Sequence, residues 1–320
     1  MVTGWRWSRA RSRDSNVGTE VDMSTTVGTV HLRNPVMTAA GTAGHGDELI
    51  PYGAAGLGAV VVKSISMQPW QGNPAPRIRP VDAGMLNSVG LQNPGVEHWL
   101  AHDLPALRKA GATVVASIWG FSVDEYRSVA EALAGVEGIT AVEVNVSCPN
   151  VEDRRHMFGH SPHATRSVMA ATQGCGLPRW AKLSPNVTDI TEIAGAAIEG
   201  GASALTLVNT VMGLVIDTDT RKPALGNGGG GLSGPAIRPV AVRAIYDCRT
   251  AFPDIPIIGV GGVTRGEHAI EMLMVGAHSV QVGTATFYDP HAPMRVVREI
   301  SQWCARHGVR AVREVIGAAL

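Results

Sequence analysis

Short apolar runs alternate with amphipathic stretches along most of the chain. Each apolar run is nearly continuous, which is typical of strands buried on both faces of a parallel sheet. The predicted strands, in chain order, are 36–39, 59–63, 113–118, 141–145, 180–183, 204–208, 256–260 and 279–282. The clearest helical patterns between them cover 124–134, 190–199, 235–251, 266–275 and 292–304.

This alternation of strands and helices predicts an α/β fold, specifically a (β/α)8 TIM barrel. An open, doubly wound sheet is the alternative. That fold requires a glycine-rich loop after the first strand, and Ala40–Gly46 resembles the G-x-G-x-x-G pattern only loosely. The barrel is therefore the favoured architecture.

The first part of the chain lacks this pattern, because residues 5–13 are basic and serine-rich without an apolar period. We expect residues 1–26 to form a disordered N-terminal extension and residues 27–320 to form a single domain. The alternative interpretations are a targeting or membrane-contact arm, or an upstream start codon ahead of a true start at Met23.

Composition narrows the classes of function. The 27 basic and 27 acidic residues cancel, so the net charge favours neither nucleic acid nor an anionic membrane. Cys148, Cys175, Cys248 and Cys304 form no C-x-x-C pair, which argues against a metal site and indicates a reduced, cytoplasmic protein. No apolar run is long enough to span a bilayer.

The most informative segment is Val144–Asn150, which continues from a predicted buried strand. Asn145 and Asn150 flank Cys148, and Pro149 prevents the strand from simply continuing. Planar amides suit a planar polar ligand, and a thiol can act as a base if its thiolate is stabilised. The alternative is a turn that contains an inert, buried cysteine.

Other polar side chains stand where predicted strands end, namely Lys63, Asn145, Lys182, Asn209 and Thr210. Each alone could be a structural cap. In a (β/α)8 barrel, however, the carboxyl ends of the strands meet at one face, and that face carries catalysis. We therefore predict that these side chains share one site.

Glycine-rich segments follow the last two predicted strands, at Gly259–Val263 and Gln281–Ala285. In (β/α)8 enzymes these loops often bind phosphate through backbone N–H groups. With a phosphate-bearing flavin, Lys182 or Lys63 could stabilise negative charge on the reduced ring. A Schiff-base lysine, as in aldolases, is the alternative, although that chemistry needs neither the cysteine loop nor the asparagines.

The chain resembles the dihydroorotate dehydrogenases, a family of flavin-binding barrels, from about Val27 to about Pro290. The motifs that carry the resemblance, in order, are Val62-Lys63-Ser64, Gly72-Asn73-Pro74-Ala75-Pro76-Arg77, Asn87–Gly95, Asn145–Asn150, Lys182–Asn186, Val208-Asn209-Thr210, Gly230–Pro235, Gly261-Gly262 and Gly283-Thr284. Together and in this order they are highly specific.

The resemblance implies FMN-dependent oxidation of dihydroorotate to orotate in pyrimidine biosynthesis. It implies that Cys148 removes the C5 proton as a base, while FMN accepts the C6 hydride. The implied substrate ligands are Asn87, Asn145, Asn150, Asn209 and Thr210. The implied cofactor ligands are Ala40, Gly41, Lys63, Ser64, Ser117, Asn145, Lys182, Val208, Gly234, Gly261, Gly262, Gly283 and Thr284.

Details of the motifs indicate a subtype. A cysteine base is the mark of soluble type 1 enzymes, whereas membrane-associated type 2 enzymes carry serine there. Gln92 and Leu232–Pro235 resemble type 1B catalytic subunits. That resemblance implies a homodimeric core and a second subunit, holding FAD and an iron–sulfur cluster, that passes electrons to NAD.

The chain departs from the family pattern at three places. Ala40 replaces a serine, Ser117 replaces an asparagine that is often found there, and residues 151–156 are more charged than usual. These departures bear on the substrate more than on the fold. The alternative hypotheses are an FMN oxidoreductase for another dihydropyrimidine and a non-flavin, phosphate-binding barrel lyase.

Overall fold

The computed structural model describes residues 21–147 and 158–320. Its strands are β1 Thr25–Val27, β2 Val30–Leu32, β3 Val36–Thr38, β4 Val60–Val61, β5 Ile78–Val81, β6 Gly84–Asn87, β7 Val114–Ile118, β8 Ile139–Asn145, β9 Arg179–Leu183, β10 Ala204–Leu207, β11 Val211–Gly213, β12 Ile216–Asp217, β13 Lys222–Pro223, β14 Gly230–Ser233, β15 Ile257–Val260 and β16 Ser279–Val282.

The α-helices are α1 Val96–His98, α2 Leu104–Lys109, α3 Val123–Ala132, α4 Pro162–Ala171, α5 Ile190–Glu199, α6 Arg238–Ala251, α7 Gly266–Met274, α8 Ala285–Tyr288 and α9 Ala292–Arg306. A π turn, Trp99–Asp103, joins α1 to α2. Short 3-10 turns cover Ile50–Tyr52, Ala54–Gly56, Phe158–His160, Thr172–Cys175, Pro235–Ile237 and Val312–Val315.

Eight parallel strands form the central sheet in the order β3-β16-β15-β10-β9-β8-β7-β4. A parallel bridge between Met37 and Ala59 brings the two edge strands together and closes the sheet. The predicted (β/α)8 barrel is confirmed, and the open doubly wound sheet is wrong. All of the predicted strands lie in this barrel, within one or two residues of their predicted bounds.

Burial explains why the strand pattern was continuous. One face of the strands packs inside the barrel, where Met37, Val61, Val115, Trp180 and Ile258 form a compact cluster. The other face packs against the surrounding helices in a larger cluster. Both faces exclude water, so apolar residues are favoured at consecutive positions.

The hairpin of β1 and β2 covers the amino end of the barrel. Its Val27, Val30 and Leu32 side chains join the interior cluster. Thr25 donates a hydrogen bond of 2.9 Å to the carbonyl oxygen of His278, which directly precedes β16. The hairpin therefore closes the end of the barrel opposite the carboxyl ends of the strands.

The folded part begins earlier than the expected boundary at residue 27. Val21 is buried, and Asp22 exchanges backbone hydrogen bonds of 2.9 and 2.8 Å with Arg310 and Val312. Side-chain hydrogen bonds from Ser24 and Arg313 lower the pKa of Asp22 to about 2. Residues 21–26 thus belong to the barrel domain, because they pair with its C-terminal segment.

A second, antiparallel sheet was not predicted. It has the order β11-β14-β6-β5 and is built from the long segments that follow β4 and β10. None of its strands is fully buried, and three of them contain glycine, as in Gly230–Ser233, so they give no alternating apolar signal. Helix α4 was also missed, and the helix predicted from residue 235 begins as a 3-10 turn before α6.

Candidate functional site

A cavity of about 630 Å³ lies at the carboxyl ends of the barrel strands, with the antiparallel sheet along one side. The predicted site residues that line it are Ala40, Gly41, Lys63, Ser64, Asn87, Asn145, Lys182, Val208, Asn209, Thr210, Gly234, Gly261, Gly262, Gly283 and Thr284. The predicted Cys148 and Asn150 lie outside the described residues. The predicted residues that the structure describes, Ser117 excepted, therefore lie together at one cavity, although they are spread over most of the chain.

Ser117 differs from the other predicted cofactor ligands. It is fully buried on β7 and does not line the cavity. Its Oγ lies 2.8 Å from Oγ of Ser64, which does line it. This geometry favours an indirect role for Ser117, because its hydroxyl orients the hydroxyl of Ser64 and does not reach the cavity.

Asn145 is the centre of a hydrogen-bond network in the cavity. Its Nδ2 donates to Oγ of Ser64 over 3.3 Å, and its Oδ1 accepts from Nδ2 of Asn209 over 3.2 Å. The backbone N–H of Ser147 donates to the same Oδ1 over 3.2 Å, and the Tyr126 hydroxyl donates to the Asn145 carbonyl over 2.6 Å. These bonds fix the orientation of the amide, so it can present a defined polar edge to a planar ligand.

A second amide, Asn186, was quoted in a family motif but not predicted as a site residue. Its Nδ2 donates to the Thr210 carbonyl over 2.9 Å, and its Oδ1 accepts from the N–H of Met212 over 2.8 Å. Asn186 therefore ties the end of β9 to the start of β11 and holds Thr210 at the cavity wall. Its place in the Lys182–Asn186 motif was the available signal.

The antiparallel sheet contributes Asn87, which lies at the end of β6. Its Nδ2 donates to the Gly231 carbonyl on β14 over 3.2 Å. Nearby, Asn73 donates to the carbonyl and hydroxyl oxygens of Ser88 over 3.1 and 3.0 Å. These contacts stabilise the part of the cavity wall that lies outside the barrel.

Lys63 and Lys182 are the only charged side chains among the described residues that line the cavity. In the described part of the chain no carboxylate lies within ion-pair distance of Lys63. Burial, and secondarily the charge of Arg77, lowers the pKa of Lys63. An anionic ligand would offset this cost, so the cavity favours ligands that carry negative charge.

Glycines allow backbone segments that line the cavity to lie close together. Gly262 has a φ of +73°, and a Cβ there would lie 2.8 Å from the Gly234 carbonyl oxygen. A Cβ on Gly283 would lie 3.2 Å from Cβ of Ala39. Thr284 adds a hydroxyl, which donates to Ser233 over 2.7 Å. Such a cradle of small residues suits a phosphate group.

An apolar wall completes the cavity, and sequence reasoning did not identify it. The rings of Trp70 and Phe121 meet edge to face with centroids 4.9 Å apart. Leu91, Ile78 and Met85 also line the cavity. Scattered aromatic and aliphatic residues have no spacing that marks them as a wall, so they become recognisable only in the fold.

The comparisons with known proteins agree with this geometry. The sequence model of the family described as dihydroorotate dehydrogenase matches residues 22–303. The chain therefore belongs to the dihydroorotate dehydrogenase family. The resemblance inferred from the motifs is confirmed.

Several curated relatives carry one name, "Dihydroorotate dehydrogenase B (NAD(+)), catalytic subunit". The protein from Desulforudis audaxviator is 49% identical over 290 residues, which are 90% of this chain and 94% of the relative. The protein from Geobacter sp. (strain M21) is 44% identical over 299 residues, 93% and 98% of the two chains. The protein from Alkaliphilus metalliredigens is 43% identical over 302 residues, 94% and 99%.

Two further properties concern residues 21–147 and 158–320. None of the helices in these ranges is both long and apolar enough to cross a membrane. The same ranges contain no group of three or more His, Cys, Asp or Glu side chains placed to hold a metal ion.

Proposed function

We propose that this protein is an FMN-dependent dihydroorotate dehydrogenase, which oxidises dihydroorotate to orotate in pyrimidine biosynthesis. The observation that carries the proposal is a single cavity that joins a glycine cradle, two lysines and a network of amides. The cradle suits a phosphate, the lysines suit anionic groups, and the amides suit the imide edge of a pyrimidine. Family membership supports the same activity.

The described residues fit FMN. The phosphate would be held by Gly234, Gly261, Gly262, Gly283 and Thr284, which line the cavity. Glycine carries no side chain that would keep an anion away from the backbone N–H groups. The ring would be held by Ala40, Gly41, Lys63, Ser64, Asn145, Lys182 and Val208. Bound FMN would supply the acceptor for the hydride.

The substrate would be held by Asn87, Asn145, Asn209 and Thr210, which line the cavity, and by the predicted Asn150. Their amides and hydroxyl can hold the ring within reaction distance. Cys148 is proposed to take the C5 proton as its thiolate. An unperturbed thiol has a pKa of about 8.5, so the rate should rise toward alkaline pH.

An anaerobic absorbance titration tests class and substrate together. Dihydroorotate should bleach the flavin band of the purified protein, whereas dihydrouracil and dihydrothymine should not. Bleaching by another dihydropyrimidine alone would replace the substrate assignment. A colourless protein that binds no added FMN would instead support a non-flavin lyase.

We further propose that a second subunit, with FAD and an iron–sulfur cluster, links the reaction to NAD. The names of the relatives, which pair NAD(+) with a catalytic subunit, support this. The free cysteines of the described residues, Cys175, Cys248 and Cys304, are each buried, so they offer no cluster site. The proposal includes a cytoplasmic homodimer of this chain as the core of the complex.

The isolated chain should therefore reduce artificial acceptors with dihydroorotate but form no NADH. Adding the electron-transfer subunit should restore NADH formation. Rapid NADH formation by the isolated chain would overturn the partner model and leave the dehydrogenase assignment intact. Light scattering of the isolated chain tests the dimer.

A further inference from the structure

Two serine hydroxyls meet at the wall of the cavity. Ser64 lines the cavity and is 4% exposed, whereas Ser117 on β7 is completely buried and does not line it. Their Oγ atoms lie 2.8 Å apart, so one hydroxyl donates a hydrogen bond to the other. The direction of this bond decides whether Ser64 presents a donor or an acceptor to a ligand.

The amide next to this pair has a fixed orientation. A backbone N–H can only donate, and the N–H of Ser147 donates to Oδ1 of Asn145 over 3.2 Å. The same Oδ1 accepts from Nδ2 of Asn209, whose own Oδ1 accepts from the N–H of Thr210 over 2.9 Å. The backbone therefore assigns both amides, and Nδ2 of Asn145 is the group that donates to Oγ of Ser64 over 3.3 Å.

The Ser117 hydroxyl has one available acceptor. In residues 21–147 and 158–320, Ser64 is the only hydrogen-bond partner of this hydroxyl. If Ser64 donated to Ser117, the proton of a completely buried hydroxyl would stay without a partner, which is unfavourable. Ser117 is therefore the donor, and Ser64 accepts from both Ser117 and Asn145 with its two lone pairs.

These bonds leave one direction for the proton of the Ser64 hydroxyl. Both lone pairs of its oxygen are used, and the proton has no acceptor in the described part of the chain. Because Ser64 lines the cavity, the proton can reach an acceptor there. Donation from Ser117 and Asn145 also polarises the Ser64 hydroxyl, which makes it a stronger donor.

We propose that Ser117 is a positioning residue, which makes Ser64 a hydrogen-bond donor toward the ligand of the cavity. The ligand group that lies against Ser64 is then an acceptor, such as a carbonyl oxygen or an unprotonated ring nitrogen of FMN. The inference rests on the proposed function for the identity of this ligand. The direction of the hydrogen bonds follows from the protein alone.

Neutron diffraction measures this direction without FMN, because it locates deuterium atoms on hydroxyl groups. The experiment uses deuterium-exchanged crystals of the wild-type chain. The deuterium between the two Oγ atoms should be bonded to Ser117, and that of Ser64 should point into the cavity. A deuterium that is bonded to Ser64 and lies between the two oxygens would overturn the proposal.

Titrations with FMN test the effect on the ligand through a double-mutant cycle. Ser64→Ala should raise the dissociation constant of FMN by about 2- to 10-fold, the usual effect of one hydrogen bond. Ser117→Ala should raise it less, because Ser64 keeps its proton and loses only the polarising donor. In the Ser64→Ala background, Ser117→Ala should cause no further rise. An equal rise in both backgrounds would show that Ser117 does not act through Ser64.

Nuclear magnetic resonance of isotope-labelled FMN follows the acceptor atom itself. Its resonance should shift in Ser64→Ala, and the same resonance should shift part of the way in Ser117→Ala. Ser117→Thr keeps the hydroxyl donor and should restore the wild-type position. Unchanged FMN resonances in a folded Ser117→Ala protein would contradict the proposed role.

Ser279→Ala is the matched control. Ser279 on β16 is also a completely buried serine of the barrel, and its hydroxyl has no hydrogen-bond partner among the described residues. It does not line the cavity. The variant removes the same atom from another strand, so the FMN affinity and resonances should stay at the wild-type values. Changes equal to those of Ser117→Ala would attribute the effect to packing and overturn the proposal.

The outcome is also separable from that of the proposed function. The neutron experiment requires neither FMN nor dihydroorotate. A protein that shows the expected deuterium positions but binds no FMN would contradict the proposed function alone. A protein that oxidises dihydroorotate but shows the opposite direction of the bond would contradict the role of Ser117 alone.

Discussion

Replacing Gly262 by alanine should weaken the proposed phosphate cradle. The same substitution at Gly111 is the matched control. Gly262 and Gly111 have almost the same backbone, with φ of +73° and +71°. A Cβ on Gly111 meets nothing within 4 Å, whereas a Cβ on Gly262 lies 2.8 Å from the Gly234 carbonyl and from Cβ of Arg238. Gly111 is exposed and does not line the cavity.

The two substitutions therefore share one cost and differ in another. Forcing an alanine into a left-handed conformation costs roughly 1–2 kcal/mol, so the free energy of unfolding of both variants should fall by that amount. Gly262→Ala must also displace backbone atoms, at a typical overpacking cost of about 1–3 kcal/mol. The expected destabilisation is about 1–2 kcal/mol for Gly111→Ala and about 2–5 kcal/mol for Gly262→Ala.

Two assays separate the effects. Thermal unfolding without flavin measures stability, and a titration with FMN measures the dissociation constant. Gly111→Ala should keep the wild-type affinity, while Gly262→Ala should lose about tenfold or more, because 1.4 kcal/mol at the cradle corresponds to that factor. Wild-type affinity in a folded Gly262→Ala protein would refute the assignment of the phosphate cradle.

Three other predictions follow from features of the fold and of the proposed reaction. Burial chiefly lowers the pKa of His278 from 6.5 to about 4, so the unfolded chain binds a proton there that the fold excludes. Stability should fall as pH drops from 6.5 to about 4, by up to about 3 kcal/mol in urea unfolding, and His278→Asn should flatten this limb. Deleting residues 1–20 should leave the Tm unchanged, whereas deleting residues 1–22 should lower it by about 2–4 °C, because two backbone hydrogen bonds to the C-terminal segment are lost; equal Tm values in a fluorescence melt would contradict this. Cys148→Ala should retain FMN but slow flavin reduction by about 10²-fold or more in stopped-flow absorbance, and a wild-type rate would remove its role as the base.

The barrel could be predicted because burial on both faces leaves a strong mark on a strand. Ala204–Leu207 and Ser279–Val282 are fully buried, and short runs that alternate with helical segments along the chain are typical of strands in a parallel sheet. Gly230–Ser233 is half-buried and carries two glycines, so its pairing with Asn87 is decided by partners that are distant in the sequence. The local pattern of apolar and polar residues carries no information about a pairing partner that is distant in the sequence.

The geometry of the barrel also explains why the predicted site residues converge, and the sequence left some contacts at the site undetermined. Strand-end polar residues such as Lys63 and Asn209 converge because the barrel brings all carboxyl ends together. Ser117, a ligand implied by the family resemblance, does not itself line the cavity, because its side chain is buried against the hydroxyl of Ser64. The buried ion pair between Glu143 and Lys182 was not predicted, because the partner of a charged residue within an apolar run becomes visible only in the closed barrel.

The pairing of β6 with β14 has a consequence for the order of folding. It joins residues 144 positions apart, such as Asn87 and Gly231. Closing such a long loop costs much conformational entropy, and that cost falls once the intervening strands have come together and shortened the effective loop. The cavity wall is therefore expected to be among the last parts to form. A ligand that needs this wall would bind only the fully folded chain, so its binding would report complete folding during refolding or synthesis.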